Sequence, residues 1–231
     1  EQVNIYGNHV GSWNFAATAY LNRWKVKIYY EHYFDDHSQM FFQYGRWKDG
    51  HIGLEITFPK NRFIDTFVYE GLGTKDQTGP MLYDSFWGEF EEQISAKDNY
   101  YNHYLYQGWQ HWGMGIGNPL LPGPIYNKNG QITFISNRVL AHHIGFCGSP
   151  CQSLSYRMLR SYSRHWGTYD NPLNEIKKQF NSLFEVTYAP QQLKGWSFTV
   201  SGAMDRGNIL GNNYGGMLVI RKQGIIKSGN K

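Results

Sequence analysis

Trp196-Ser197-Phe198-Thr199-Val200-Ser201-Gly202-Ala203-Met204-Asp205 alternates apolar and polar residues on a two-residue period. Successive strand side chains point to opposite faces, so Trp196, Phe198, Val200 and Met204 share one face and Ser197, Thr199, Ser201 and Asp205 the other. Ile52-Gly53-Leu54-Glu55-Ile56-Thr57-Phe58 and Phe184-Glu185-Val186-Thr187-Tyr188 repeat the alternation. Trp13, Phe15, Ala17, Ala19 and Leu21 oppose Asn14, Ala16, Thr18 and Tyr20, and Val26, Ile28 and Tyr30 oppose Lys25, Lys27 and Glu31. One face suits lipid and the other water, with Trp, Phe and Tyr heavy at the segment ends. That pattern predicts an all-β fold, an antiparallel transmembrane β-barrel.

Composition agrees with strands rather than apolar helices. Aromatic residues make up 17% of the 231, yet mean hydropathy is −0.57, so the hydrophobicity sits in large rings. No run approaches the roughly 20 apolar residues of a spanning helix. Barrel strands place apolar residues only at alternate positions, which keeps mean hydropathy low. The 22 basic and 18 acidic residues are interspersed and leave a net charge of +4, so nucleic acid is not an expected partner. Glu1-Gln2-Val3-Asn4 lacks the charged and apolar regions of a signal peptide, and none is read there.

The pattern maps strands near 11 to 21, 24 to 34, 51 to 58, 63 to 72, 138 to 147, 153 to 166, 182 to 189, 195 to 206 and 214 to 222, all in one domain over 1–231. Asn22-Arg23, Pro59-Lys60-Asn61-Arg62, Gly148-Ser149-Pro150 and 190–194 read as tight turns. The connections 35 to 50, 73 to 137, 167 to 181 and 207 to 213 read as longer. Short periplasmic turns against long external loops are the habit of outer-membrane barrels. Nine is an odd total where single-chain barrels are even, so further strands before residue 1 are expected. The segment near 73 to 137 is too long for a plain loop and is expected to fold into or over the barrel mouth, with a helical turn near 86 to 94.

Most polar motifs have modest readings. Gly113-Met114-Gly115-Ile116-Gly117 is followed by Pro119 where a phosphate-binding helix should start, and its glycines suit tight folding of aromatic neighbours. His142 and His143 are adjacent, so a strand points them to opposite faces and one metal does not take both. Cys147 and Cys151 suit either a disulfide across a turn or two free thiols, and the spacing supplies no four-ligand zinc site. No metal or other cofactor is expected. Glu89, Glu91, Glu92 and Asp98 fit either a solvated acidic face or the paired carboxylates of glycoside hydrolysis.

The densest constellation is aromatic: Tyr100-Tyr101-Asn102-His103-Tyr104-Leu105-Tyr106-Gln107-Gly108-Trp109-Gln110-His111-Trp112. Ring faces attract the C–H faces of sugars, while amides, His and Arg hydrogen-bond hydroxyls or pair with uronates. The same rings also suit an interfacial girdle or a packed plug. Arg164-His165-Trp166-Gly167-Thr168-Tyr169-Asp170-Asn171-Pro172 offers a second mixture at a strand-to-loop junction. The candidate polysaccharide contacts are therefore Trp109, His111, Trp112, Arg164, Trp166, Tyr169 and Asp170.

Gly108-Trp109-Gln110-His111-Trp112-Gly113-Met114-Gly115-Ile116-Gly117-Asn118-Pro119-Leu120-Leu121, 137–145 (Asn137 to Gly145) and 164–172 together resemble the Wzi-type capsule-assembly proteins, particularly their Bacteroides-type branch. Leu193-Lys194-Gly195-Trp196, Asp205-Arg206-Gly207 and Ile220-Arg221-Lys222 extend the resemblance. It implies an outer-membrane barrel of about eighteen strands, of which this chain is the C-terminal half. It further implies a non-catalytic surface lectin that attaches capsular polysaccharide, with outer-membrane lipid and the capsule export machinery as further partners. Two other readings stand beside it: a diffusion channel lined by Lys25, Lys27, Glu55, Glu185 and Asp205, and a carbohydrate-active enzyme using residues between Glu89 and Asp98.

Overall fold

Asn22 closes the first hairpin at φ 56, a left-handed conformation that Asn tolerates. It joins β1 (Gly11–Leu21) to β2 (Trp24–Phe34), which pair antiparallel along their whole lengths. The structure, a computed structural model, describes residues 10–35, 49–61, 63–77, 98–103 and 107–224. Beyond the first hairpin come β3 (Gly50–Thr57), β4 (Thr66–Gly73), the two-residue strands β5 (Gln110–His111) and β6 (Met114–Gly115), and β7 (Val139–Cys151). β8 (Leu154–Gly167), β9 (Pro172–Tyr188), β10 (Trp196–Gly207) and β11 (Asn213–Lys222) complete the series. Nine of these form one antiparallel sheet in the order β1-β2-β3-β4-β7-β8-β9-β10-β11, and β5 and β6 form a separate hairpin. The sheet is open, with β1 and β11 at its edges. Among the described residues no helix is long and apolar enough to cross a membrane.

Partners across an antiparallel ladder lie on the same face, so the register sorts every strand residue. Phe15 meets Tyr30, which meets Ile52; Ile28 meets Leu54, which meets Tyr69 and then Ile144. Met158, Phe184, Val186, Val200 and Leu218 continue this apolar face to the other edge. Phe15, Ile28, Ile52, Val200 and Leu218 are each more than half exposed. Among the residues that the ladders pair, no Asp or Glu falls on this face.

The opposite face is polar and knitted across strands. Lys25 pairs with Glu55 at 3.3 Å and Arg157 with Glu185 at 3.3 Å, while His51 lies 3.6 Å from both Glu31 and Glu70. Tyr29 donates to Glu70, and its ring crosses Gly53, its rung partner, where any Cβ would collide with it. Asn181 donates to Asp205 at 2.6 Å. Lys27 sits over the Tyr29 ring at 5.1 Å. His142 and His143 do point apart, to Tyr69 at 2.8 Å and to Ser161 at 2.7 Å.

The buried core also lies on the polar side. Leu72, Val139 and Ala141 of the sheet pack there against Leu121 and Phe134 of the inserted segment, with Tyr33, Tyr101, Trp109 and Leu120 around them. Asp49 pins the insert to the sheet rim, accepting from the backbone N–H groups of Asp76 (2.8 Å) and Gln77 (2.7 Å) and from the Tyr100 hydroxyl (3.0 Å). Burial outweighs these donors and raises its carboxyl from 3.8 to about 6. The folded state thus favours the proton, and stabilisation present in full below about pH 4 is lost as pH rises through 6. The melting temperature should therefore be higher at pH 5 than at pH 8, and Asp49→Asn should flatten that difference; an unchanged slope in the variant would remove Asp49 as its source.

Three boundaries differ from the sequence reading. β9 begins at Pro172, so the expected long connection 167 to 181 shrinks to 168–171, and the connection 208–212 is also short. Gly148-Ser149-Pro150 is not a turn: β7 runs through it to Cys151, with a register shift between Gly148 and Cys151, and the turn is Gln152-Ser153. A bulge accommodates proline because no ladder N–H is required there. β4 begins at Thr66, leaving Phe63 and Ile64 exposed in the preceding turn. Cys147 and Cys151 are free thiols. The helical turn expected at 86 to 94 lies outside the described residues.

Candidate functional site

The insert presents one aromatic side chain openly. β5 and β6 pair His111 with Met114, leaving Trp112-Gly113 as a two-residue turn with φ 52 and 79. Two left-handed residues make a hairpin of the type that matches strand twist, a role usually filled by Asn-Gly. Trp112 is a bulky residue in that conformation, a cost of order 1 kcal/mol or more that points to use of the exposed ring. The turn is held from three sides: Gln110 Oε1 accepts from Gly113 N at 2.7 Å, Gly113 O from Ile125 N at 2.8 Å, and Trp109 O from Ile116 N at 2.8 Å. Trp112 is 87% exposed, with His111 edge-on at 6.3 Å.

Trp109 has a different situation. Its ring stacks on Tyr101 at 5.2 Å and packs against the core, and the Tyr101 hydroxyl accepts from Asn118 N at 3.1 Å. This ring supports the hairpin rather than a ligand.

Arg164, Trp166 and Tyr169 belong to the rim beside β8 and are already engaged. Lys75 lies 4.7 Å and Arg164 5.4 Å from the Trp166 ring centre, and Arg138 lies 3.8 Å over Tyr169. Arg138 also donates to Lys75 O at 3.1 Å, and the Tyr169 hydroxyl to Asp76 O at 2.8 Å. Asp170 is exposed at the turn. Lys75 and Arg138 were not candidates from sequence, since nothing near them in the chain marks them as neighbours of Trp166 and Tyr169.

Between the insert and the β8–β9 turn lies a cleft of about 710 Å³. Asn99, Asn102, His103, Gln107, Gln131 and Thr133 line one side; Thr168 and Asn171 face them, with Phe134, Pro172 and Leu173 as apolar surface. The walls are fixed. Asn102 exchanges hydrogen bonds with the Phe134 backbone, 2.8 Å in each direction, and Asn137 donates to Asn99 at 2.6 Å and to Tyr100 O at 2.8 Å. Asn171 N donates to Thr168 Oγ1 at 2.9 Å, closing the turn. Gln107 donates to His103 O, while its Oε1 is buried without a hydrogen-bond partner among the described residues. A buried acceptor of this kind is costly unless a donor reaches it. Amides and hydroxyls beside apolar patches, with no charged group in the lining, suit an uncharged polyhydroxylated ligand.

Gln107 and Asn171 fall within the two quoted constellations but were not among the candidate contacts, and Thr133 lies outside both, because nothing local marks amides and hydroxyls so far apart in the chain as neighbours. Of the acidic candidates, Asp98 is buried within the insert, and Glu89, Glu91 and Glu92 lie outside the described residues. Among the described residues no three His, Cys, Asp or Glu side chains cluster as metal ligands. The chain matches no family model, no curated protein and no solved structure.

Proposed function

We propose that the nine-stranded sheet is part of an outer-membrane β-barrel, and that the insert and the β8–β9 turn hold capsular polysaccharide at the cell surface as a non-catalytic lectin. The observation that carries the membrane part is the continuous, exposed, carboxylate-free apolar face. In water such a face is a liability, since each large side chain left uncovered forgoes roughly 1.5 to 3 kcal/mol. Against lipid it needs no protein cover. Trp24, Tyr156, Tyr188 and Trp196 stand near one margin and Trp13, Tyr30, Tyr162 and Tyr214 near the other, as an interfacial girdle requires. β1 and β2 have 11 residues each, the length of a tilted spanning strand, roughly 9 to 11. β8 and β9, with 14 and 17, rise beyond the band and support the cleft above it.

The saccharide part rests on the uncharged cleft and the displayed Trp112 ring. One sugar–ring contact contributes about 0.5 to 1.5 kcal/mol, too little for a monosaccharide but ample when a polymer engages many copies at once. Gln107→Ala, Trp112→Ala and Asn171→Ala combined in the complete protein should leave capsule made but shed, with the released fraction rising several-fold at matched barrel abundance. Unchanged retention rejects these residues as the attachment site, and lower total polysaccharide points instead to synthesis or export. Trp109 and Trp166 are poorer probes, because their rings are engaged by Tyr101 and by Lys75 and Arg164.

The paired charges of the polar face favour a second reading, a water-filled diffusion channel. Conductance in a planar bilayer separates the two, since an insert packed on that face should obstruct flow.

A further inference from the structure

Cations are confined almost wholly to one margin of the apolar face. Arg164 stands opposite Lys178 across the β8–β9 ladder, Arg206 opposite Phe180 on β10, and Arg160 opposite Ser182 within the band. The only other Lys or Arg on this face of the strands, Lys222, stands alone at the far margin with its ammonium over Trp196 at 5.2 Å. Arg160, Lys178 and Arg206 are exposed, and no ion pair joins any of the four to a carboxylate among the described residues. Like charges directly across a ladder repel, so Arg164 facing Lys178 is unfavourable unless an anion lies between them. Arg160 sits lower, among Ile144, Tyr162 and Phe184, and its long side chain can lift its guanidinium to the margin.

We infer that this margin binds the phosphate groups of an outer-leaflet phosphoglycolipid, whose acyl chains lie down the face over Tyr162, Phe180 and Phe184. The inference rests on the barrel reading, since only there does the margin lie at headgroup height. Charge complementarity selects the occupant. Arg forks bind phosphate oxygens in pairs, Lys adds a point charge, and the apolar surface directly below continues into the hydrocarbon. A soluble anion would have no use for that lower surface, and a zwitterionic lipid would bring its own cation to a site that already has four.

The test uses the complete protein in detergent micelles, with native mass spectrometry counting bound lipid. The probes are bisphosphorylated lipid A, the same lipid after phosphatase treatment, and phosphatidylcholine. The wild type should retain lipid A in preference to the dephosphorylated form. The variant R160Q/R164Q/K178Q/R206Q should lose about tenfold or more of that retention while keeping phosphatidylcholine, and Lys222→Gln should behave as wild type. K178Q/R206Q, which alters only exposed positions, gives the same comparison with a smaller loss if the fourfold variant fails to assemble. Equal retention of lipid A by wild type and variants, or of the two lipid A forms by wild type, overturns the site. Insertion into phosphatidylcholine vesicles without phosphate preference overturns this inference alone, whereas failure to insert, with every strand open to protease, overturns the barrel reading and this site with it.

Discussion

On the proposed barrel, arginine at Val200 or at Ile56 should cut the amount of folded, protease-resistant protein recovered with the membrane several-fold, while arginine at Thr199 should be tolerated. Val200 lies between Val186 and Leu218 on the apolar face, and Ile56 between Val26 and Phe67. A cation near the bilayer midplane of a barrel exterior costs roughly 2 to 4 kcal/mol, a large part of the 5 to 15 kcal/mol that typically separates folded from unfolded chains. Thr199 sits one residue away but on the polar face, where its hydroxyl meets Thr187 at 2.8 Å. Losing that bond costs about 1 kcal/mol, and the new guanidinium can reach water. A soluble sheet would reverse the order, since arginine on an exposed apolar face improves its contact with water. Equal assembly of all three variants in the complete protein would sink the face assignment.

The strands were legible in the sequence wherever one face is apolar and the other polar. The mapped spans 11 to 21 and 24 to 34 are those of β1 and β2. The period fades where both faces are polar: Asn174-Glu175-Ile176-Lys177-Lys178-Gln179 reads as a loop, yet it is the first half of β9. Above the apolar band no alternation is required, so hydrophobic periodicity has nothing to report there. Gly148-Ser149-Pro150 misled for a related reason. Gly and Pro normally mark turns, but here a bulge absorbs them and Gly148 packs so closely on Phe63 that a Cβ would not fit.

The site was less legible than the fold. Aromatic density identified the insert, and Trp112 is openly displayed, but density alone does not separate it from Trp109 three residues earlier, whose ring supports the hairpin. What separates them is backbone: Trp112 lies in a left-handed turn and Trp109 stacks on Tyr101. The engagement of Trp166 by Lys75, and the meeting of Gln107 with Asn171 across one cleft, join segments distant in the chain. Strand pairing brings them together, and pairing over such distances leaves no periodic trace in the residues concerned.

Residues 1–231 prepared alone should aggregate, or associate edge to edge, rather than behave as a monomer. The free sides of β1 and β11 each carry a row of backbone N–H and C=O groups along 11 and 10 residues. In lipid every such group left unpaired costs several kcal/mol, and in water a long apolar edge recruits any strand within reach. Neither edge carries a proline, β1 has no charged residue, and on β11 the only charges are Arg221 and Lys222 at its last two positions. β11 is exposed on both sides, including Met217 and Val219 on the polar face, as an edge strand with no covering layer. Further strands that pair with β1 and β11 and close the sheet should convert the material to a monodisperse, detergent-soluble species. Light scattering and thermal melting decide the matter, because a monodisperse monomer of residues 1–231 that melts cooperatively in detergent-free buffer is incompatible with two bare edges and an uncovered apolar face, and would replace the barrel with a soluble β-sheet domain.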